Sequence, residues 1–309
     1  MHPAFSVLVF TVVSGAGYGL VFLMILGHLS AVQALQNETL LLSAGALGFV
    51  MITGGLLSST LHLANPKNAW RSFSRFKTSW LSREAVFALL FYPFFFIYLL
   101  GIFLNGEQIG VVYSLAGALS MVLAIVTLYC TSMIYASLKT IRQWNSALTP
   151  VNYLALGLMS GSVLLIALHA LIVGNVSELL NNLVMTLLAL GLTVKVIYFF
   201  WIGKPSGSTI KTATGFTQAS VRLLDQGHSS NGFLNNEFGY TVAANKLLQV
   251  RAIALVIGFV APMLLVLYGG SALLVIASIA TLAGLLAERW LFFAEARHVV
   301  RLYHGDQQV

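Results

Sequence analysis

Long apolar runs separated by polar connectors recur eight times along the chain, at residues 5–29, 40–63, 84–104, 110–135, 151–173, 179–202, 249–268 and 271–294. Each is close to the ~20 apolar residues that an α-helix needs to cross a bilayer. Backbone amides find no water inside a bilayer, so such a segment must pair its own N–H and C=O groups as a helix. The runs are continuous rather than alternating, which excludes a β-barrel. The pattern predicts an all-α integral membrane protein, a bundle of eight transmembrane helices forming a single membrane domain over residues 1–309.

Composition agrees: 58% of the residues are hydrophobic and 8% charged, against about 25% charged in a soluble domain. The first run lacks a basic leader, and its ~25 apolar residues exceed the core of a cleaved signal peptide, so it reads as a retained span. Cys130 is the single cysteine and lies inside the fourth run. It can form no intrachain disulfide, and no cysteine set exists here for zinc or an iron–sulfur cluster.

Charge sets the expected orientation. With eight spans, the connectors after the second, fourth and sixth share one face with both termini. Essentially every Lys and Arg lies on that face or within a turn or two of it, whereas residues 30–39, 105–109, 174–178 and 269–270 contain none. The positive-inside rule then predicts cytoplasmic termini, for a bacterial cytoplasmic (inner) membrane. Lys195, inside the sixth run, would snorkel towards the same face. The net charge of +7 is thus a topology signal, and nucleic acid is not an expected partner. The long connector 203–248 keeps Phe216, Val221, Leu223, Phe238 and Tyr240 among its polar residues. Connectors beyond about 12–15 residues usually have a function, and this one reads as a partner-contact surface, or else as a lid over the protein's own helices.

Candidate chemistry concentrates at residues 62–84. His62 closes the second run, Glu84 opens the third, and Lys67, Arg71, Arg75, Lys77 and Arg83 lie between, five of the sixteen basic residues. A histidine titrates near neutrality, and an ionisable residue at membrane depth is a functional candidate by default. With Trp70 and Trp80 beside them, these groups suit proton exchange with a reducible headgroup, which points to a quinone. A plainer reading remains for each residue. His62 would merely cap a helix end ahead of Pro66, and Glu84, behind the expected N-cap Ser82, would compensate the helix dipole and pair with Arg83.

The run Leu61-His62-Leu63-Ala64-Asn65-Pro66-Lys67-Asn68-Ala69-Trp70-Arg71, followed by Ser79-Trp80-Leu81-Ser82-Arg83-Glu84, and the opening His2-Pro3-Ala4-Phe5, resemble the membrane-anchor subunits of the dimethyl sulfoxide reductase family. Ala64 stands where relatives often carry glycine. The resemblance implies an eight-helix anchor that holds a molybdopterin catalytic subunit to the membrane through a four-cluster, ferredoxin-like iron–sulfur subunit docked on the basic face. It also implies that the anchor exchanges electrons with ubiquinone or menaquinone, all molybdenum and iron–sulfur centres residing in the partners. The family's functional histidine and glutamate fall on His62 and Glu84, with Arg71, Trp80 and Arg83 as further quinone-binding candidates. Residues 213–216, 221–224 and 235–240 are more similar to the longer anchors of sulfite-oxidising molybdoenzymes.

Two competing readings have their own residues. A haem-bearing anchor would need facing histidines, and His28 and His169 lie near the same non-basic face; helix-end histidines of that kind are usually interfacial, so haem is not expected. A transporter would use Gly15, Gly17, Gly19, Gly45, Gly48, Gly54 and Gly55 as helix breaks, although such glycines equally permit close packing. Glu288, Arg289, Glu295 and Arg297 read as helical charge pairs where the last span leaves the bilayer.

Overall fold

A computed structural model describes residues 1–61, 65–203, 207–218, 220–224 and 237–309, the side chain of Pro66 excepted. Eight helices among them are long and apolar enough to cross a membrane: α1 (Phe5–Leu29), α2 (Glu38–Thr60), α3 (Trp80–Asn105), α4 (Val111–Ala136), α5 (Leu148–Ile172), α6 (Glu178–Ile202), α7 (Ala244–Tyr268) and α8 (Ser271–Ala294). Hydropathy locates all eight but misplaces some ends, because helices continue past the apolar stretch to a capping side chain. Thus α3 begins at Trp80, and Ser79, not Ser82, is its N-cap, accepting from the Ser82 amide at 3.4 Å. Asn37 and Ser177 cap α2 and α6 in the same way.

The bundle is organised around two central helices. Over an apolar 18-residue stretch of each span, 83% of α1 and 78% of α5 is buried, against 28–44% for the others. Lipid tails offer helices no hydrophobic drive to associate, so close backbone packing has to supply it, and small residues make that packing possible. Gly15 and Gly19 of α1 meet Gly157 and Gly161 of α5, with a Cβ on Gly19 or Gly161 falling onto the opposing backbone. The other side of α1 receives α2, where Gly48 lies against Val21 and Gly55 against Ser14. Gly258 and Gly284 join α7 to α8 in the same manner. Most of the glycines that could be read as transporter helix breaks are therefore contact points, while Gly54 has open space around it. Two π-turns, Phe10–Ser14 in α1 and Val256–Val260 in α7, sit at or beside these crossings.

In α3, Phe91, Phe95 and Tyr98 share the inward face and are fully buried, while Phe96 is half exposed on the outer surface. The helical period alone separates packing aromatics from lipid-facing ones.

At the basic face the C-terminal segment turns back over the helix ends. The Val299 amide donates to the Thr140 carbonyl, Ile210 to Gln307 and Val309 to Ser208, while the Trp144 indole donates to the Phe292 carbonyl at 2.8 Å. A second apolar core, built on Trp144, Tyr153, Tyr198, Phe292 and Phe293, fills the space beneath. Residues 208–210 of the long connector thus pair with the chain's own tail, and the His2 amide donates to the Glu237 carbonyl. The opposite face carries Glu38, Glu107 and Glu178 and no Lys or Arg in its loops.

Candidate functional site

The connector between α2 and α3 forms a ten-residue 3₁₀ helix, Pro66–Arg75. Proline at its first turn suits a position whose N–H needs no partner. Trp70 projects outward, with the Arg71 guanidinium 5.7 Å from its ring centre. His62 lies outside the described residues. The Arg83 guanidinium turns away from the bundle, donating to the carbonyls of Phe76 (3.0 Å) and Lys77 (2.8 Å) and stacking over Trp80 at 4.2 Å.

This arrangement overturns one expectation. Glu84 makes no ion pair with Arg83, because Arg83 is engaged in closing the connector. Starting α3 at Trp80 places Glu84 more than a turn inside the helix, where its side chain points into the bundle and the residue is 5% exposed. Its Oε1 accepts a hydrogen bond from the Thr131 hydroxyl of α4 at 2.5 Å. Trp80, half buried, meets Tyr129 of α4 edge-on at 5.9 Å between ring centres. The structure therefore brings Glu84, Trp80 and Arg83 to the α3–α4 rim. Arg71 stays on the exposed connector.

A carboxyl group held in an apolar wall with one hydroxyl partner is an unusual choice for mere stability, since isolated buried charge is costly. It is well suited to giving and taking a proton. The donor set fits a quinone headgroup: a buried carboxyl to exchange a proton, an indole to cover an aromatic ring, and arginines at the rim.

A second group of charges, expected as a snorkelling lysine and as pairs within the last helix, is instead brought together across two helices. Lys195 of α6 and Glu288 of α8 form an ion pair with both side chains 1% exposed, and Arg289 Nε lies 3.5 Å from the other carboxylate oxygen. Lys195 does not snorkel: its ammonium lies between Glu288 and the Tyr198 ring, 4.1 Å from the ring centre. The Arg289 guanidinium covers Tyr153 at 3.8 Å. Outside them, Arg251 of α7 donates to Glu295 at 2.7 Å. Glu295 lies just beyond α8, and burial pushes its carboxyl above the ordinary value while Arg251 opposes the shift. The available signal was depth: Lys195, Glu288 and Arg289 stand about two turns from the same ends of their helices, so a bundle can bring them together.

On the opposite face, His28 is engaged at both ring nitrogens, Nδ1 with the Tyr98 hydroxyl and Nε2 with the Glu107 carbonyl, each at 2.9 Å. A haem iron would have to displace one of these partners.

Eight helices long and apolar enough to cross a membrane define a multi-pass integral membrane protein. Over residues 1–294 the chain matches the family described as DMSO reductase anchor subunit (DmsC). It is also 35% identical to a sulfite dehydrogenase subunit of Allochromatium vinosum, over 98% of this chain and 99% of that protein. The chain belongs to the DMSO reductase anchor subunit family and is a membrane anchor.

Proposed function

We propose that this anchor passes electrons between the membrane quinone pool and an iron–sulfur subunit docked on its basic face, which in turn serves a molybdopterin catalytic subunit. The observation that carries this reading is Glu84: a carboxyl buried at the rim of α3, hydrogen-bonded by Thr131 and, among the described residues, paired with no cation. A bound quinone or quinol supplies two-electron chemistry coupled to two protons. Trp80 bounds the headgroup, Glu84 exchanges one proton with it, and His62, which follows α2 in the sequence, exchanges the other. Arg83, fixed by the Phe76 and Lys77 carbonyls, and Arg71 keep the rim positive and favour charge that develops on the headgroup. The length-wide similarity to a sulfite dehydrogenase subunit supports electron flow from the catalytic partner into the quinone, with ubiquinone and menaquinone both compatible with these residues. The lysine and arginine asymmetry supports cytoplasmic termini in a bacterial inner membrane, with the catalytic partners on that side and connector 203–248 contributing to the contact with them.

The test is quinone-coupled turnover of the assembled complex carrying Glu84→Gln or His62→Ala, with dye-linked turnover of the catalytic partner as control. Loss of the first with retention of the second is expected. Unchanged quinone-coupled rates in both variants would remove the site.

A further inference from the structure

A 3₁₀ helix has three residues per turn, so side chains three apart stack into one ridge. In the ten-residue 3₁₀ helix between α2 and α3, Lys67, Trp70 and Phe73 form such a ridge and Phe76 continues it, all four exposed. Arg71 projects on one side of this ridge and Arg75 on the other, and Lys77 follows; these are exposed too. Three outward aromatic rings are thus bordered by four cations. The sequence carries no Asp or Glu from residue 39 to residue 83, and among the described residues none of the four cations is in an ion pair. Aromatic rings and Lys or Arg side by side on one short element suit a membrane interface, where the rings reach the acyl boundary and the charges stay among the headgroups.

Depth decides what this ridge meets. Arg83, in the first turn of α3, donates to the carbonyls of Phe76 and Lys77 at 3.0 and 2.8 Å. The Phe76 ring packs edge-on to Phe87 at 5.7 Å between centres, and Phe87 lies about two turns into α3. The connector therefore runs down the flank of α3 before Thr78 and Ser79 return the chain to Trp80. Leu61 and Leu81, at its two ends, are exposed as well. A peripheral subunit rests above the helix ends, whereas the flank of a membrane-crossing helix at this depth is bordered by lipid.

We propose that the connector is an interfacial helix that binds the headgroups of anionic phospholipids. Trp70, Phe73 and Phe76 seat at the acyl boundary, and Lys67, Arg71, Arg75 and Lys77 hold the headgroup phosphates, the arginines through paired N–H donors. Phosphatidylglycerol, whose headgroup carries a phosphodiester and no amine, fits this surface better than phosphatidylcholine, whose own cation would face four more. The inference is independent of the quinone reading of Glu84. It makes the bilayer surface a second support, beside the Arg83 hydrogen bonds, for the depth of the α2–α3 rim.

The test titrates phosphatidylglycerol with brominated acyl chains into the full chain in a mild detergent and reads tryptophan fluorescence, because bromine quenches an indole only at close contact. Phosphatidylcholine with the same chains is the comparison. Saturable quenching by phosphatidylglycerol is expected, about tenfold or more tighter than by phosphatidylcholine, with a component that is lost in Trp70→Phe. It should weaken severalfold when added salt screens the headgroup charge. Lys67→Gln/Arg75→Gln/Lys77→Gln removes three cations, each worth about fivefold near an anionic surface, and should raise the half-saturating concentration about tenfold or more. Lys211→Gln/Arg222→Gln/Lys246→Gln makes the same charge change elsewhere in the chain and should leave it nearly unchanged. Equal quenching by the two lipids, full quenching in Trp70→Phe, or the same loss in both triple variants would overturn the proposal. So would disappearance of the Trp70 component when the complete complex is assembled on the anchor, which would assign the ridge to a protein contact.

Discussion

The buried charges allow a prediction whose order, and not only its sign, follows from the geometry. Glu288 is the single carboxylate between two cations, Lys195 and Arg289, and all three are at most 5% exposed at the side chain. Removing one partner of a buried ion pair costs ~3–5 kcal/mol, mostly because the other charge is left uncompensated. Lys195→Met leaves Glu288 with Arg289 still beside it, so its cost belongs at the low end, about 3 kcal/mol. Glu288→Gln strands two cations and belongs at the high end, about 5 kcal/mol. The double variant Lys195→Met/Glu288→Gln strands only Arg289, which retains the Tyr153 face, and it is expected to be more stable than Glu288→Gln alone. Membrane proteins commonly unfold irreversibly, so the measurement is the rate of thermal unfolding in one detergent at fixed protein concentration. The expected order of survival is wild type, Lys195→Met, the double variant, Glu288→Gln. A double variant less stable than Glu288→Gln, or costs that simply add, would show that the three groups do not act as one charge cluster.

Further expectations concern the site, the packing and the tail. Thr131→Val removes the one hydrogen bond that the Glu84 carboxyl accepts among the described residues; quinone-coupled turnover should fall about tenfold or more, while Thr131→Ser should retain most of it, as measured in the assembled complex. Gly19→Leu or Gly161→Leu drives a side chain into the opposing backbone of the α1–α5 contact, and a loss of at least ~1–3 kcal/mol is expected, read as early thermal aggregation in detergent; Gly54→Ala, which meets open space, should be nearly silent. His298 Nδ1 accepts the Val300 amide at 3.0 Å, and burial lowers its pKa from the ordinary 6.5. The unfolded tail then binds more protons than the docked one in the window just below 6.5, so stability from this group is complete above that window and declines as pH falls through it. Limited proteolysis of the tail should accelerate on acidification in wild type, and His298→Asn, which can still cap, should flatten that dependence.

The spans were legible because a bilayer imposes one rule on every crossing: enough consecutive apolar residues and an internally bonded backbone. The same rule explains what failed at the ends. Hydropathy sees the hydrocarbon region and not the capping side chain, so Ser82 stood in for Ser79 and Glu84 looked like a terminal residue paired with Arg83, when an extra turn carries it into the bundle beside Thr131. The absence of Lys and Arg from the loops of one face was readable too, because a loop's charge needs no tertiary structure to be seen. His62 lies outside the described residues, so the sequence remains its only witness.

By itself, then, the sequence determined that this is a membrane bundle, how many times it crosses and which face is basic, and it singled out Glu84 as a candidate. Tertiary structure decided which glycines touch, that α1 and α5 form the centre, and that Lys195 and the adjacent Glu288 and Arg289, the first two 93 residues apart, are a single cluster. Periodicity and composition record what each helix needs from lipid and water. Which helices become neighbours depends on the summed fit of many small contacts and on neutralising charge between distant segments, and that information exists only once the helices have packed.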